Sequence, residues 1–210
     1  KPKSFPIYRE SHKKFYIPRF YGYKNYGEPD EFKLENGKKI KVKFKGELRD
    51  FQKPIVDTYL KSAKTKGGGL LEIHTGAGKT VMGLKIIAEL GVKTIIIVHK
   101  EFLLRQWIER MEQFLPGVRV GKIQGSIIDI EDKDVVICML QSISMKEYPV
   151  SLFSEFGLTV VDECHHISAE VFSRSLFKIV TKYTLGLSAT MKRKDGLTSV
   201  IKMFFQHRLY

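Results

Sequence analysis

No stretch of this chain reaches the ~18–20 consecutive apolar residues that a membrane span requires. The basic start, Lys1-Pro-Lys3, is followed by mixed polar and aromatic residues, unlike the apolar core of a signal peptide. No membrane partner is expected. Cysteine is scarce as well: 2 in 210 residues cannot build a disulfide framework. Cys138 and Cys164 each close an apolar, strand-like run, which reads as buried free thiols in a reducing, intracellular compartment, nucleus or cytoplasm. Basic residues are concentrated in the first third. Residues 1–66 hold 18 Lys/Arg against 8 Asp/Glu, whereas residues 67–210 hold 18 against 15, so most of the net charge of +13 lies early. The same third carries 12 of the 24 aromatic residues. Cations displace counterions from phosphates and aromatic faces stack on bases, so the composition suits a nucleic-acid surface. A solvated basic face over a small aromatic core is the plainer reading.

What the chain does contain is a phosphate-binding construction. The apolar run Gly69-Leu-Leu-Glu-Ile73 leads into His74-Thr-Gly-Ala-Gly-Lys-Thr80, and a helical pattern follows. Backbone N–H groups of such a turn converge at a helix N-terminus, where the dipole favours negative charge. Thr75, Gly76, Ala77 and Gly78 form the cradle, Lys79 meets the β/γ-phosphates, and Thr80 offers a hydroxyl to Mg²⁺. The strict pattern wants glycine where Ile73 stands, so the match is partial.

Downstream, Leu158-Thr-Val-Val161 ends in Asp162-Glu163. A carboxylate at a strand end holds Mg²⁺, and its neighbour orients and deprotonates water, so Asp162 is the metal candidate and Glu163 the general base. His165 is expected to sense the γ-phosphate and touch the next segment, Ser188-Ala-Thr190, whose hydroxyls report nucleotide state. A metal site on Cys164-His-His166 is disfavoured, because neighbouring side chains diverge and no second ligand pair stands at zinc spacing.

The periodicity predicts strands at 69–74, 94–98, 118–122, 134–139, 157–161 and 183–187, alternating with helices at 79–90, 101–115, about 149–155 and 169–180. Several strands are continuously apolar, as when helices cover both sheet faces. Alternation of this kind means a mostly parallel α/β sheet with ligands at the strands' carboxyl ends. A helix is expected from Leu48 to about Leu60, then a polar loop to Gly69. Residues 1–45 read as a β-rich or extended basic appendage with little helical periodicity. Strands are expected at Phe15–Ile17 and Lys39–Lys45, with a tight hairpin turn at Asn36-Gly37. Residues 46–210 form the nucleotide-binding unit.

Thr75–Thr80, Asp162-Glu-Cys-His165 and Ser188-Ala-Thr190 resemble motifs I, II and III of superfamily 2 helicases, in order and at familiar spacing. The resemblance covers about residues 46–200 and implies a RecA-like P-loop lobe that hydrolyses ATP with Mg²⁺. Val98–Trp107 resembles motif Ia, which implies nucleic-acid backbone contacts for His99, Lys100 and Arg105. A capping or solvated role fits His99 equally. Val136–Ile143 resembles the segment that also faces the strand, implying Gln141 and Ser142. Leu48-Arg-Asp-Phe-Gln52 is similar to the family's Q-motif, so Gln52 would read the adenine edge with Arg49 helping. Leu187–Leu197 looks most like XPB-type DNA helicases and their relatives in large DNA viruses, the poxvirus transcript-release type included; a virus factory or virion then joins the possible locations.

The family's motor has two RecA-like lobes, the second carrying an arginine that stabilises transition-state charge. No such block follows motif III here, so the expectation is a first lobe that binds Mg·ATP and hydrolyses it very slowly until joined by the second. DNA is the favoured partner over RNA. The competing reading is a basic nucleic-acid-binding module with a vestigial nucleotide site; a small-molecule kinase fits less, since no substrate lid is visible.

Overall fold

A computed structural model describes residues 4–189 and 197–210. The elements are β1 (Arg9–Ser11), β2 (Lys14–Tyr16), α1 (Arg19–Tyr26), α2 (Gln52–Lys66), β3 (Gly68–Glu72), α3 (Lys79–Leu90), β4 (Thr94–Val98) and α4 (Glu101–Phe114). They continue with β5 (Val120–Gln124), β6 (Ile127–Asp129), β7 (Val135–Met139), α5 (Leu140–Met145), β8 (Leu158–Val161), α6 (Ala169–Leu176), β9 (Tyr183–Ser188) and α7 (Leu197–Phe205). Seven strands form one sheet in the order β3-β9-β8-β4-β7-β5-β6, parallel throughout except for β6 against β5. The chain therefore has the α/β, RecA-like layout expected of it, with a two-stranded antiparallel ribbon, β1–β2, near its start.

Strand side chains alternate between two apolar layers, which is why both faces need helices. Ile96 and Val98 of β4 join Leu158 and Val160 of β8 in a layer with Ile55, Tyr59, Met82, Leu84, Trp107 and Met111 of α2, α3 and α4. Ile95 and Ile97 face the other way, into a layer with Ile143, Phe172, Leu176, Ile201 and Phe205 of α5, α6 and α7. Both cysteines are buried and unpaired with each other. Burial raises the Cys138 thiol and pushes that of Cys164 up to about 12, so neither is reactive.

The first 45 residues depart from the sequence reading. Residues 19–26 are helical despite weak periodicity, because tertiary contacts hold them. Phe20 is buried, and the Arg19 guanidinium donates to the carbonyls of Gly67 (3.2 Å), Thr181 (3.4 Å) and Lys182 (2.9 Å). Those carbonyls stand at the amino ends of β3 and β9, opposite the end that carries the Thr75–Thr80 loop. Lys39–Lys45 is not a strand. Its backbone is stitched on by single contacts, Ile40 N to Gly91 O and Lys45 N to Phe114 O, with one bridge from Lys39 to Val92. Asn36-Gly37 makes no hairpin either. Gly37, at φ +81°, lets the chain lie against Gly157, where a Cβ would come within 2.3 Å of that residue's Cα.

Elsewhere α2 runs on to Lys66, with Pro54 in its first turn, where its missing N–H costs nothing. The stretch about 149–155 yields only a 3-10 turn, Val150–Phe153. β6, α5 and α7 were not foreseen; α5 and α7 are short and take their form from packing.

Candidate functional site

The carboxyl ends of β3, β9 and β8 lie side by side, and the three motifs leave from them. At ~4.8 Å per strand, β3 and β8 are ~10 Å apart with β9 between. Ser188 closes the gap at both ends of its residue. Its carbonyl accepts from Ile73 N (2.8 Å), at the root of the phosphate loop, and its Oγ lies 2.8 Å from His165 Nδ1.

Local chemistry shapes the loop. Gly76 and Gly78 take φ +85° and +84°, in the left-handed region where other residues are strained. At Gly78 a second reason applies, since a Cβ would stand 2.5 Å from Gln52 Nε2. Gln52 Nε2 donates to Ala77 O (2.7 Å), and Gln52 Oε1 accepts from Arg49 N (2.9 Å). The main chain takes one hydrogen bond at each end of the Gln52 carboxamide, and each end keeps the capacity for one more. The side chain is buried and does not line the adjoining cavity. Gln52 braces the loop, whereas Arg49 does face the cavity.

Lys79 Nζ bridges the motifs. It lies 3.4 Å from Ile73 O and 3.0 Å from Glu163 Oε1, and both side chains of this ion pair are largely buried. Glu163 itself adopts φ +50°, an unfavourable conformation for a residue with a Cβ, of the kind found at functional sites. Its Oε2 is shielded from solvent and accepts no hydrogen bond. His165 Nδ1 approaches that oxygen at 3.2 Å and lies 2.8 Å from Ser188 Oγ.

Asp162 is held by two donors: Glu163 N to Oδ1 (2.9 Å) and Trp107 Nε1 to Oδ2 (2.8 Å). Burial dominates its acidity and pushes the carboxyl up to about 6, with the Glu163 charge adding to the rise and the Trp107 donor and Lys79 opposing it. An acid whose proton is held more tightly when folded loses stability as pH rises from about 4 to 6, then levels off. Asp162→Asn is thus expected to stabilise the nucleotide-free chain at pH 7.5 by about 1–2 kcal/mol. The raised pKa corresponds to about 3 kcal/mol, less what a carboxamide forfeits between two donors. Thermal melting at pH 4.5 and 7.5 checks this; a difference that does not grow with pH would refute it.

These groups border a cavity of about 540 Å³, walled by the phosphate loop on one side and by Phe102, Gln106 and Arg110 of α4 on the other. Thr80 and Asp162 both line it. A hydroxyl and a carboxylate are hard oxygen donors suited to Mg²⁺, and a buried carboxyl that resists ionisation is one a cation would relieve. The residues fit the ion.

The expected nucleic-acid residues separate. His99 lines the same cavity, its ring 5.5 Å from that of His166, with both nitrogens shielded and without hydrogen-bond partners. Burial lowers its pKa, and the neighbouring His166 and Lys100 lower it further. Lys100 also lines the cavity, while Arg105 is exposed and paired with Glu101. Gln141 Nε2 donates to His99 O (3.0 Å). Ser142 is buried, and its hydroxyl holds a loop by accepting from Gly125 N (2.9 Å). Ala189 follows β9 directly, and Thr190 lies outside the described residues.

Two features escaped the sequence. His165 and His166 do not diverge; the 3-10 turn Cys164–His166 brings their ring centroids within 3.9 Å. Trp107 lies on α4, and nothing in the neighbouring residues announces that its N–H is aimed at Asp162.

The profile of the family described as "Type III restriction enzyme, res subunit" matches residues 45–193. A putative ATP-dependent RNA helicase, L396, of Acanthamoeba polyphaga mimivirus is 34% identical over 97% of this chain and 40% of its own length. The DNA 3'-5' translocase XPB2 of Sulfurisphaera tokodaii is 35% identical over 74% of this chain and 33% of its own. The chain thus spans well under half the length of these relatives. Among solved structures, the UvsW helicase of bacteriophage T4 superposes with a TM-score of 0.65 at 19% identity, over 94% of this chain and 80% of that one. The SWI2/SNF2 ATPase core of Sulfolobus solfataricus in complex with dsDNA gives 0.63 at 20%, over 82% and 38%. At such identities these two establish the fold alone. By its sequence match the chain belongs to superfamily 2, in the helicase family typified by the res subunit of type III restriction enzymes.

Proposed function

We propose that residues 46–210 are the first motor lobe of an ATP-dependent DNA helicase or translocase, with residues 1–45 as a basic appendage. The observation that carries this reading is the Lys79–Glu163 contact of 3.0 Å, which joins the phosphate loop to the acidic motif across an intervening strand. A triphosphate entering the cavity competes with Glu163 for the Lys79 ammonium. Backbone amides of residues 76–80 bind the phosphates at the α3 N-terminus, where the dipole favours anions. Thr80 and Asp162 would hold Mg²⁺, which would supply charge neutralisation when bound. Released from Lys79, Glu163 accepts the proton of the attacking water. His165, against Ser188, links that carboxylate to the end of β9 and so to the loop root at Ile73. Fast hydrolysis then needs an arginine brought by a second lobe, a contribution of ~10³–10⁵ in related phosphoryl transfer. Two buried thiols suit an intracellular setting.

The name of the mimivirus relative supports RNA as the alternative track, and that of the archaeal one supports DNA. Calorimetric titration with Mg·ATP, followed by ATPase assays with single-stranded DNA, duplex DNA and RNA on this chain and on one carrying both lobes, tests the reading. Micromolar to millimolar nucleotide binding, with turnover stimulated by DNA only when both lobes are present, is expected. Salt-dependent nucleic-acid binding with no affinity for nucleotide would replace it with the basic-module reading.

A further inference from the structure

We infer that Trp107, on α4, is a positioning residue that fixes the Asp162 carboxylate for Mg²⁺; the inference rests on the nucleotide-binding reading above. The indole is fully buried, and its N–H donates to Asp162 Oδ2 at 2.8 Å. Packing alone does not account for this aim. A buried indole N–H needs an acceptor, and this one takes a carboxylate oxygen, a charge-assisted bond stronger than one to a carbonyl. With Glu163 N held to Oδ1, both oxygens have a fixed direction before any cation arrives. The far edge of the ring is fixed as well. It lies over Gly83 of α3, where an added Cβ would sit 2.8 Å from Trp107 Cη2. The ring is therefore clamped between the metal carboxylate and the helix that begins at the phosphate loop. Outer partners of this kind orient a metal ligand, and their loss typically costs 10–100-fold in metal affinity.

Trp107 is the only tryptophan in the chain, which makes the test specific. Growth on β-(3-benzothienyl)alanine replaces the indole N–H by sulfur at this one position while keeping ring shape. Calorimetry should give an apparent Mg²⁺ affinity, at saturating ATP, reduced about 10–100-fold. ATP binding in EDTA should stay within about twofold of the natural protein, a split that a packing role cannot produce. Trp107→Phe, which also loses the N–H, should behave alike, and Gly83→Ala should shift Mg²⁺ affinity the same way by displacing the ring. In the natural protein, Mg²⁺ added to the ATP complex should change the tryptophan emission, and Asp162→Asn should remove that response. Equal Mg²⁺ affinity in the benzothienyl and natural proteins overturns the inference while leaving the nucleotide site standing. Failure of the natural protein to bind Mg·ATP by calorimetry overturns both.

Discussion

Replacing Glu163 by glutamine is expected to lower DNA-stimulated ATP turnover by about 10²–10⁴-fold, the usual worth of a positioned base, in a chain that carries both lobes. Glutamine keeps the size of the side chain and cannot take a proton. Binding should move the other way. In the nucleotide-free lobe Glu163 Oε1 holds Lys79 at 3.0 Å, and that contact must break before the ammonium can serve a phosphate. Removing the carboxylate's charge removes the competitor, so Mg·ATP should bind as tightly or a few-fold more tightly. Single-turnover hydrolysis beside equilibrium titration separates the two effects. Turnover within about tenfold of the natural protein would assign the base to another group, with His165 the nearest alternative, 3.2 Å from Glu163 Oε2.

Lys79→Ala should weaken Mg·ATP binding by about 10–100-fold, the equivalent of the ~1.5–3 kcal/mol that a hydrogen bond to a charged group contributes. It should also lower the melting temperature of the free lobe. The substitution leaves Glu163 with one shielded, unbonded oxygen and no cation beside the other. Breaking a buried ion pair from one side costs several kcal/mol; with Glu163 partly exposed, a loss of roughly 2 kcal/mol, or about 4–8 °C, is expected. The double variant Lys79→Ala/Glu163→Gln should recover most of that stability and none of the affinity. A double variant no more stable than Lys79→Ala would show that the stranded carboxylate is not the cause.

Much of this site was legible in the residues themselves. The helix at 79–90 and the strand at 94–98 fall where periodicity placed them, because a glycine-rich turn and an unbroken apolar run carry their information in neighbouring residues. The helix at Arg19–Tyr26 and the lost strand at Lys39–Lys45 were not legible. Arg19 finds its acceptors at Gly67, Thr181 and Lys182, and no local pattern encodes partners so distant. Lys39–Lys45 alternates like a strand, but without a neighbouring strand in register it forms a single bridge. The bracing of the loop by Gln52 was illegible for a related reason. A glutamine near a glycine-rich loop has two hydrogen-bonding ends, and only the packed structure reveals that Ala77 O and the Arg49 N–H each engage one of them.

The sequence by itself determined a parallel α/β lobe, a glycine-rich turn ending in Lys79 and Thr80, and an acidic pair at a strand end. Each of these is written in adjacent residues, through the reach of glycine backbones and the period of apolar side chains. The tertiary structure alone decided that β9 inserts between β3 and β8, that Ser188 spans the gap, that Lys79 rests on Glu163, and that the indole of Trp107, 55 residues away in sequence, aims at Asp162. Strand order and side-chain aim come from long-range pairing and close packing, in which every contact depends on where all the others have settled.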